Sequence, residues 1–256
     1  KTSPNQLSWT GKIGDLYSTQ GVLNHDNELR YGLGIGAAPN LPQQGFQLSL
    51  ISNELNLDAW QDFLESKTVA RVQDTEASSS NVQITAQVKK LTLLERHWQD
   101  VNVVANKKKG AWEMRLGSQQ AAGQIQYYEA DKTNTSGLIS GRLTKLKIPE
   151  LIPDATANTA TKKPVSPALI PSLDLTIDDL SWSKAQLGQV KLKTRTNENT
   201  LKVDSIQSNN PQGSSTVTGQ WIGATKNTVD HSVLNINMDV KDAGQIIAHW
   251  TAQKSI

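Results

Sequence analysis

Leu173-Asp174-Leu175-Thr176-Ile177-Asp178-Asp179-Leu180-Ser181-Trp182, continuing through Leu187-Gly188-Gln189-Val190, decides how the rest of the chain reads. As far as Ile177 the residues alternate apolar and polar without a slip. Successive side chains of a strand point to opposite faces, so this period of two describes a strand with one apolar face and one wet face. Asp178-Asp179 breaks the alternation and reads as a strand-end turn, and Gly188 marks the next turn. Val190-Lys191-Leu192-Lys193 then alternates again, which makes the stretch a hairpin.

The same grammar extends in both directions. Towards the C-terminus, Leu201-Lys202-Val203, a turn at Pro211-Gln212-Gly213, and alternating Val217, Gly219 and Trp221 precede the longest clean run, Leu234-Asn235-Ile236-Asn237-Met238-Asp239-Val240-Lys241. Ile246, Ile247 and Trp250 then recur at helical spacing. Towards the N-terminus, five of the nine prolines (Pro149, Pro153, Pro164, Pro167 and Pro171) punctuate a stretch of Ala, Thr, Asn and Lys, so residues 153–171 read as an exposed, partly extended linker. Before it, strands are expected at Val82 to Lys89, Leu91 to Leu94, Val101 to Val103, Trp112 to Leu116, Gly123 to Tyr127 and Leu138 to Leu146, with a turn at Lys107-Lys108-Lys109-Gly110. Residues 66–81 are polar and aperiodic, hence a loop. Leu57, Trp60 and Phe63 or Leu64 predict a short amphipathic helix over 56–65, capped by Asn56 or Asp58. Phe46, Leu48 and Leu50 form a strand before it, and Leu7 to Ala38 divides into short strands with Gly-rich turns.

Laid side by side, these passages repeat. Leu91, Trp98, Val101, Val103 and Trp112 match Leu180, Leu187, Val190, Leu192 and Leu201 at a constant offset of 89. Gly123-Gln124-Ile125 matches Gly219-Gln220-Trp221 after a small insertion, Leu143 matches Val240, and the helix at Trp60 corresponds to that at Ile246. Residues 1–65 are then the end of one unit, 82–152 a second and 172–256 a third, each a set of antiparallel strands followed by a short helical or linker crossing. The chain opens in mid-pattern at Lys1 and reads as a segment of a longer protein. The expected fold is mainly β: a repeating antiparallel curved sheet, or β-groove, with a few short helices.

Composition removes several classes of function. The 26 basic and 24 acidic residues are well mixed and leave a net charge of +2, so there is no electrostatic footprint for nucleic acid. Mean hydropathy is −0.47, and no run approaches the ~18 apolar residues that a membrane-crossing helix needs. The chain has no Cys, and no two of His25, His97, His231 and His249 stand at a ligand-pair spacing, so neither metal nor cofactor is expected. Gly32-Leu33-Gly34-Ile35-Gly36-Ala37 matches the dinucleotide fingerprint in form. Pro39 and Pro42 follow at once and forbid the phosphate-binding helix, so the glycines signify bending or close approach. Asp178-Asp179 is an adjacent acidic pair, but strand neighbours face opposite ways and cannot face each other across a cleft. The lysine run is a solvated turn, and no residue is expected to be catalytic. Trp60, Trp112, Trp221 and Trp250 fit packing positions; Trp9, Trp98 and Trp182 stay open as candidates to stack a sugar.

The pattern Leu173 to Val190, followed by a strand pair and Gly219-Gln220-Trp221, resembles the AsmA-like family and within it the YhdP branch, large proteins of the Gram-negative periplasm. The resemblance is carried by Leu173 to Trp250 and, in outline, by Val82 to Ile152, and contains no catalytic motif. It implies a periplasmic bridge anchored in the inner membrane, along which phospholipids slide towards the outer membrane. The partners implied are phospholipid acyl chains, neighbouring groove modules of the same longer chain, and the inner and outer membranes at the ends of the full protein. The residues lead the same way. An apolar sheet face must be covered, and two or three short helices are too few to cover it. Either the sheet closes on itself, or acyl chains lie against it. By strand parity the lining consists of Leu48, Leu50, Ile84, Val88, Val101, Val103, Leu173, Leu175, Ile177, Val190, Leu192, Leu201, Val203, Val217, Leu234, Ile236, Met238 and Val240. The alternative is a periplasmic β-sandwich that binds through its loops or serves as a structural module. Limited proteolysis is expected to cut between Pro153 and Pro171 before it cuts any strand; first cleavage inside Val233 to Lys241 would overturn this division of the chain.

Overall fold

The computed structural model describes residues 6–24, 26, 28–60, 81–108, 110–131, 135–153, 166–183, 185–225 and 228–241. Fourteen strands form one open, mixed sheet in which spatial order equals sequence order, and it does not close into a barrel. They are β1 (Leu7–Ile13), β2 (Tyr17–Leu23), β3 (Leu29–Ile35), β4 (Gly45–Asn56), β5 (Val82–Leu93), β6 (Arg96–Lys108), β7 (Ala111–Gly117), β8 (Ala121–Tyr128), β9 (Leu138–Ile148), β10 (Ser172–Trp182), β11 (Ala185–Asn197), β12 (Thr200–Asn210), β13 (Gly213–Ile222) and β14 (His231–Val240). Two compact units divide the chain, with β1 to β8 in the first and β9, as far as Lys147, to β14 in the second.

The offset of 89 returns in the strand boundaries. β6 and β11 begin at Arg96 and Ala185, and β7 and β12 at Ala111 and Thr200. Past β12 the spacing widens: Ala121 to Gly213 is 92 and Leu138 to His231 is 93. Leu143 therefore stands opposite Ile236 in the repeat rather than Val240, because the insertion falls before β13 and again before β14.

Pairing is antiparallel wherever a hairpin joins neighbours, as in β5 to β8 and β10 to β14. β4 is different, since it runs parallel to both β3 and β5. The expected all-antiparallel sheet is corrected here to a mixed one. A parallel neighbour requires the chain to return to its starting end, and two crossings do so. The first, residues 36–44, lies flat on β2 and β3. Ser18 Oγ and Gln20 Nε2 donate to the carbonyls of Ala37 and Pro39, both at 3.0 Å. A Cβ on Gly32 would come within 2.1 Å of Asn40 O, and one on Gly34 within 2.1 Å of Ala37 O. The formal nucleotide motif thus serves backbone-on-backbone packing.

The second crossing starts in a helical turn at 57–60. Ala59 N–H donates to Asn56 Oδ1 at 3.0 Å, so Asn56 is the cap. Asp58 acts elsewhere: its two carboxylate oxygens each accept at 2.8 Å, from the N–H groups of Leu94 and Glu95. Those residues form the β5–β6 turn with φ of 55° and 56°, and the carboxylate satisfies the N–H groups of both. The rest of the helix expected over 56–65, the loop over 66–81 apart from Asn81, and the helix at Ile246 to Trp250 lie outside the described residues. Most of the expected linker does too, but its last part is built into the fold. Pro167–Leu169 is a 3-10 turn, Pro167 is fully buried, and Ser166 Oγ lies 3.0 Å from Asn199 Oδ1. A proline side chain packs against apolar atoms as well as any aliphatic one, which polar composition around it concealed.

Replacing Gly32 by Val is expected to lower stability by about 1–3 kcal/mol in chemical denaturation. Gly117→Ala, where an added Cβ meets nothing within 4 Å, serves as the control and is expected to stay within about 1 kcal/mol. Equal effects at the two sites would contradict the packing role of Gly32.

Candidate functional site

Paired residues on neighbouring strands project to the same face, so register shows which side chains share it. In the first unit one row runs Leu33, Leu48, Ile84, Ala105, Met114 and Ile125 across β3 to β8. The next runs Ile35, Leu50, Ala86, Val103 and Leu116, and Ser52, Val88 and Val101 lie beyond it. In the second unit the rows are Leu173, Thr194, Val203, Gly219, Leu234; then Leu175, Leu192, Ile206, Val217, Ile236; then Ile177, Val190, Ser208, Ser215, Met238. Leu201 pairs with Trp221, and Val240 with Gly213, on the same side. Within each unit, then, the expected lining residues fall on one face.

Coverage of that face is uneven. Ile177, Val190 and Val88 are each 4% exposed. The second unit's rows end on β14, the last strand of the sheet, which is exposed on both faces, with Leu234, Ile236 and Met238 at 51%, 61% and 49%. Among the described residues, only the turns at 57–60 and Pro167–Leu169 are helical.

Keeping long strands apolar on one side requires a correction midway. In β4, β5 and β6 the pairing skips a step at Asn53, Lys89 and Asp100. Beyond it the apolar residues change parity, so that Leu55, Leu91, Leu93 and Trp98 pack with Val88 and Val101. In β10 the register with β11 itself shifts, between Ile177 and Leu180 and again between Leu180 and Ser181. Asp178 and Asp179 are therefore an irregular step inside a strand that continues to Trp182, and the turn lies at Ser183, not at Gly188. An acidic pair facing water needs no turn to explain it. A third slip, at Asp204 and Ser205 in β12, turns Ile206 to the apolar side. Ion pairs stand at or beside each slip: Lys90 with Glu54 at 3.2 Å, Arg142 with Asp178 at 2.9 Å, and Arg195 with Asp204 at 2.7 Å.

The family model described as YhdP protein matches residues 1–256. The chain belongs to the YhdP family. No curated protein and no solved structure matches it significantly.

His97 Nδ1 lies 3.2 Å from Thr92 Oγ1 within one hairpin, and His231 Nδ1 lies 3.4 Å from Val229 O; His25 and His249 lie outside the described residues. Among the described residues no three His, Asp or Glu side chains gather as a metal site, and no helix is long and apolar enough to cross a membrane. Trp98 donates Nε1–H to Leu93 O at 3.2 Å and belongs to the apolar cluster, and Trp9 covers Gly21. Packing accounts for both, while Trp182 stays 57% exposed. Lys107 Nζ sits 5.7 Å over the Trp112 ring beside the β6–β7 turn.

Arg195 donates from Nε and Nη2 to the two oxygens of Asp204 at 2.7 and 2.8 Å. This hydrogen bonding holds the Asp204 carboxyl below its usual range, against a partial burial that would raise it; the charges of Arg195, Lys202 and Lys193 help. A depressed carboxylate contributes stability above its unfolded pKa of about 3.9 and loses it as pH falls through the folded value. Asp204→Asn is therefore expected to melt below wild type at neutral pH, with the gap closing below about pH 4. A gap unchanged between neutral and acid pH would show that the pair is not what holds the slip.

Proposed function

We propose that this chain is a segment of a periplasm-spanning bridge that conducts phospholipids between the inner and outer membranes along an apolar β-face. One observation carries the reading: register assembles continuous apolar rows across the strands of each unit, and the rows reach β14 half-exposed. Such a surface gains by taking up acyl chains, at about 0.8 kcal/mol for each methylene removed from water. The residues with this role are the rows of the first unit through Leu48, Leu50, Ile84, Val88, Val101 and Val103, and those of the second from Leu173 to Val240. Headgroups stay at the wet margin while tails slide along side chains that offer no directional bonds, so no residue acts as a catalyst and no cofactor takes part. Family membership supports a periplasmic setting, an inner-membrane anchor elsewhere in the full protein, and further groove modules as neighbours.

The test uses the full-length protein in cells. A photo-crosslinker at Met238 is expected to capture phospholipid, and one at Asp239, on the opposite face, is not. Met238→Asp is expected to fold and to block transport, because its site is open. Ile177→Asp, at a site 4% exposed, is expected to cost about 4 kcal/mol of stability by burying an unpaired carboxylate. No capture at Met238, together with unfolding of Met238→Asp, would favour a closed β-sandwich and contradict conduction.

A further inference from the structure

The opposite face of the first unit holds a feature that lipid conduction leaves unused. A cleft of about 620 Å³ opens between residues 40–44 and the starts of β4 and β5. Its wall contains six carboxamides, Asn40, Gln43, Gln44, Gln47, Asn81 and Gln83, together with Leu41 and Pro42, and no charged residue. Gln47 and Gln83 are register partners, and Asn106 continues their row on β6. The first crossing fixes one side of the cleft, through Gln20 on Pro39 O and the backbone contact at Gly32. Asn81 Nδ2 donates to Gln44 Oε1 at 3.3 Å. The carboxamides of Gln43, Gln47 and Gln83 have no hydrogen-bond partner among the described residues.

Chemistry narrows what fits. A carboxamide both donates and accepts and carries no charge. An ionic ligand would find no counter-charge here, and an acyl chain would leave the carboxamides of Gln43, Gln47 and Gln83 without partners. A sugar ring suits the wall: its hydroxyls donate and accept in turn, and its C–H face packs against the half-buried Leu41. The volume lies within the range of small-molecule sites, about 300–1,000 Å³. We infer that the cleft formed by residues 40–44, Gln47, Asn81 and Gln83 binds neutral saccharide. This assignment is independent of the lipid reading, since it uses the other face of the sheet.

Soluble chitotetraose and maltotetraose serve as probes, followed by NMR on the whole chain. Titration is expected to shift the side-chain amide signals of Gln47 and Gln83 saturably with at least one of the two. The double variant Gln47→Ala, Gln83→Ala is expected to weaken binding roughly tenfold, about 1.4 kcal/mol. Gln83→Glu, which keeps the volume and adds a charge at an exposed site, is expected to weaken it as well. Gln124→Ala on β8, outside the cleft, leaves it unchanged. Absence of saturation with both probes by about 10 mM, or equal affinity in the Gln83→Glu variant, overturns the assignment.

Discussion

The alternation of side chains along a strand is the constraint on which this structure depends. Each strand can offer the apolar side only every second residue, and a shift by one residue turns its whole set outwards. Strands of 11 to 13 residues, such as β5, β6, β10 and β11, cannot keep one face apolar by composition alone once their pairing slips. In β4, β5 and β6 the protein answers with matched skipped residues that leave the register between neighbours unchanged. Asn53, Lys89 and Asp100 skip together, so the parity change is shared, and Val88 and Leu91 end on the same side. Extra residues of this kind also add local twist. Their polar side chains reach water, and there an acid on one strand meets a base on the next.

These ion pairs are exposed on at least one partner, and pairs of that kind add little to stability by themselves. Their value is positional. Arg195 grips both oxygens of Asp204 at the point where β12 changes parity, which favours one register over its neighbours. Bulk stabilisation comes from the rows, where aliphatic side chains from successive strands stand side by side.

Much of this was legible in the sequence. Leu234 to Lys241 reads as a strand, and β14 holds all of it as far as Val240, because nothing interrupts its period. The repeat shows itself through the offset of 89 because turns and strand starts carry fixed chemistry. What escaped detection is physical in kind. Asp178-Asp179 breaks the pattern just as a turn would, and only cross-strand pairing reveals that the strand continues. Ile206 was missed because the slip at Asp204 moves it out of phase with Leu201 and Val203. Leu33, Ile35, Met114 and Leu116 alternate openly, yet their place in the rows depends on register, which one strand alone does not encode. The parallel setting of β4 depends on the path of two crossings, and Gly32 and Gly34 reveal the first only when the covering backbone is in place.

Within each unit the apolar face is kept through slips and turns, and the proposed reading gives it acyl chains, which make no directional bonds, as its partner. Native mass spectrometry of the purified chain, taken directly and again after incubation with phospholipid vesicles, tests that claim most directly. The account predicts discrete adducts with phospholipid masses, lost when Leu175, Leu192 and Ile236 of one row are replaced by Asn. A chain that flies lipid-free under both conditions while remaining folded would contradict it.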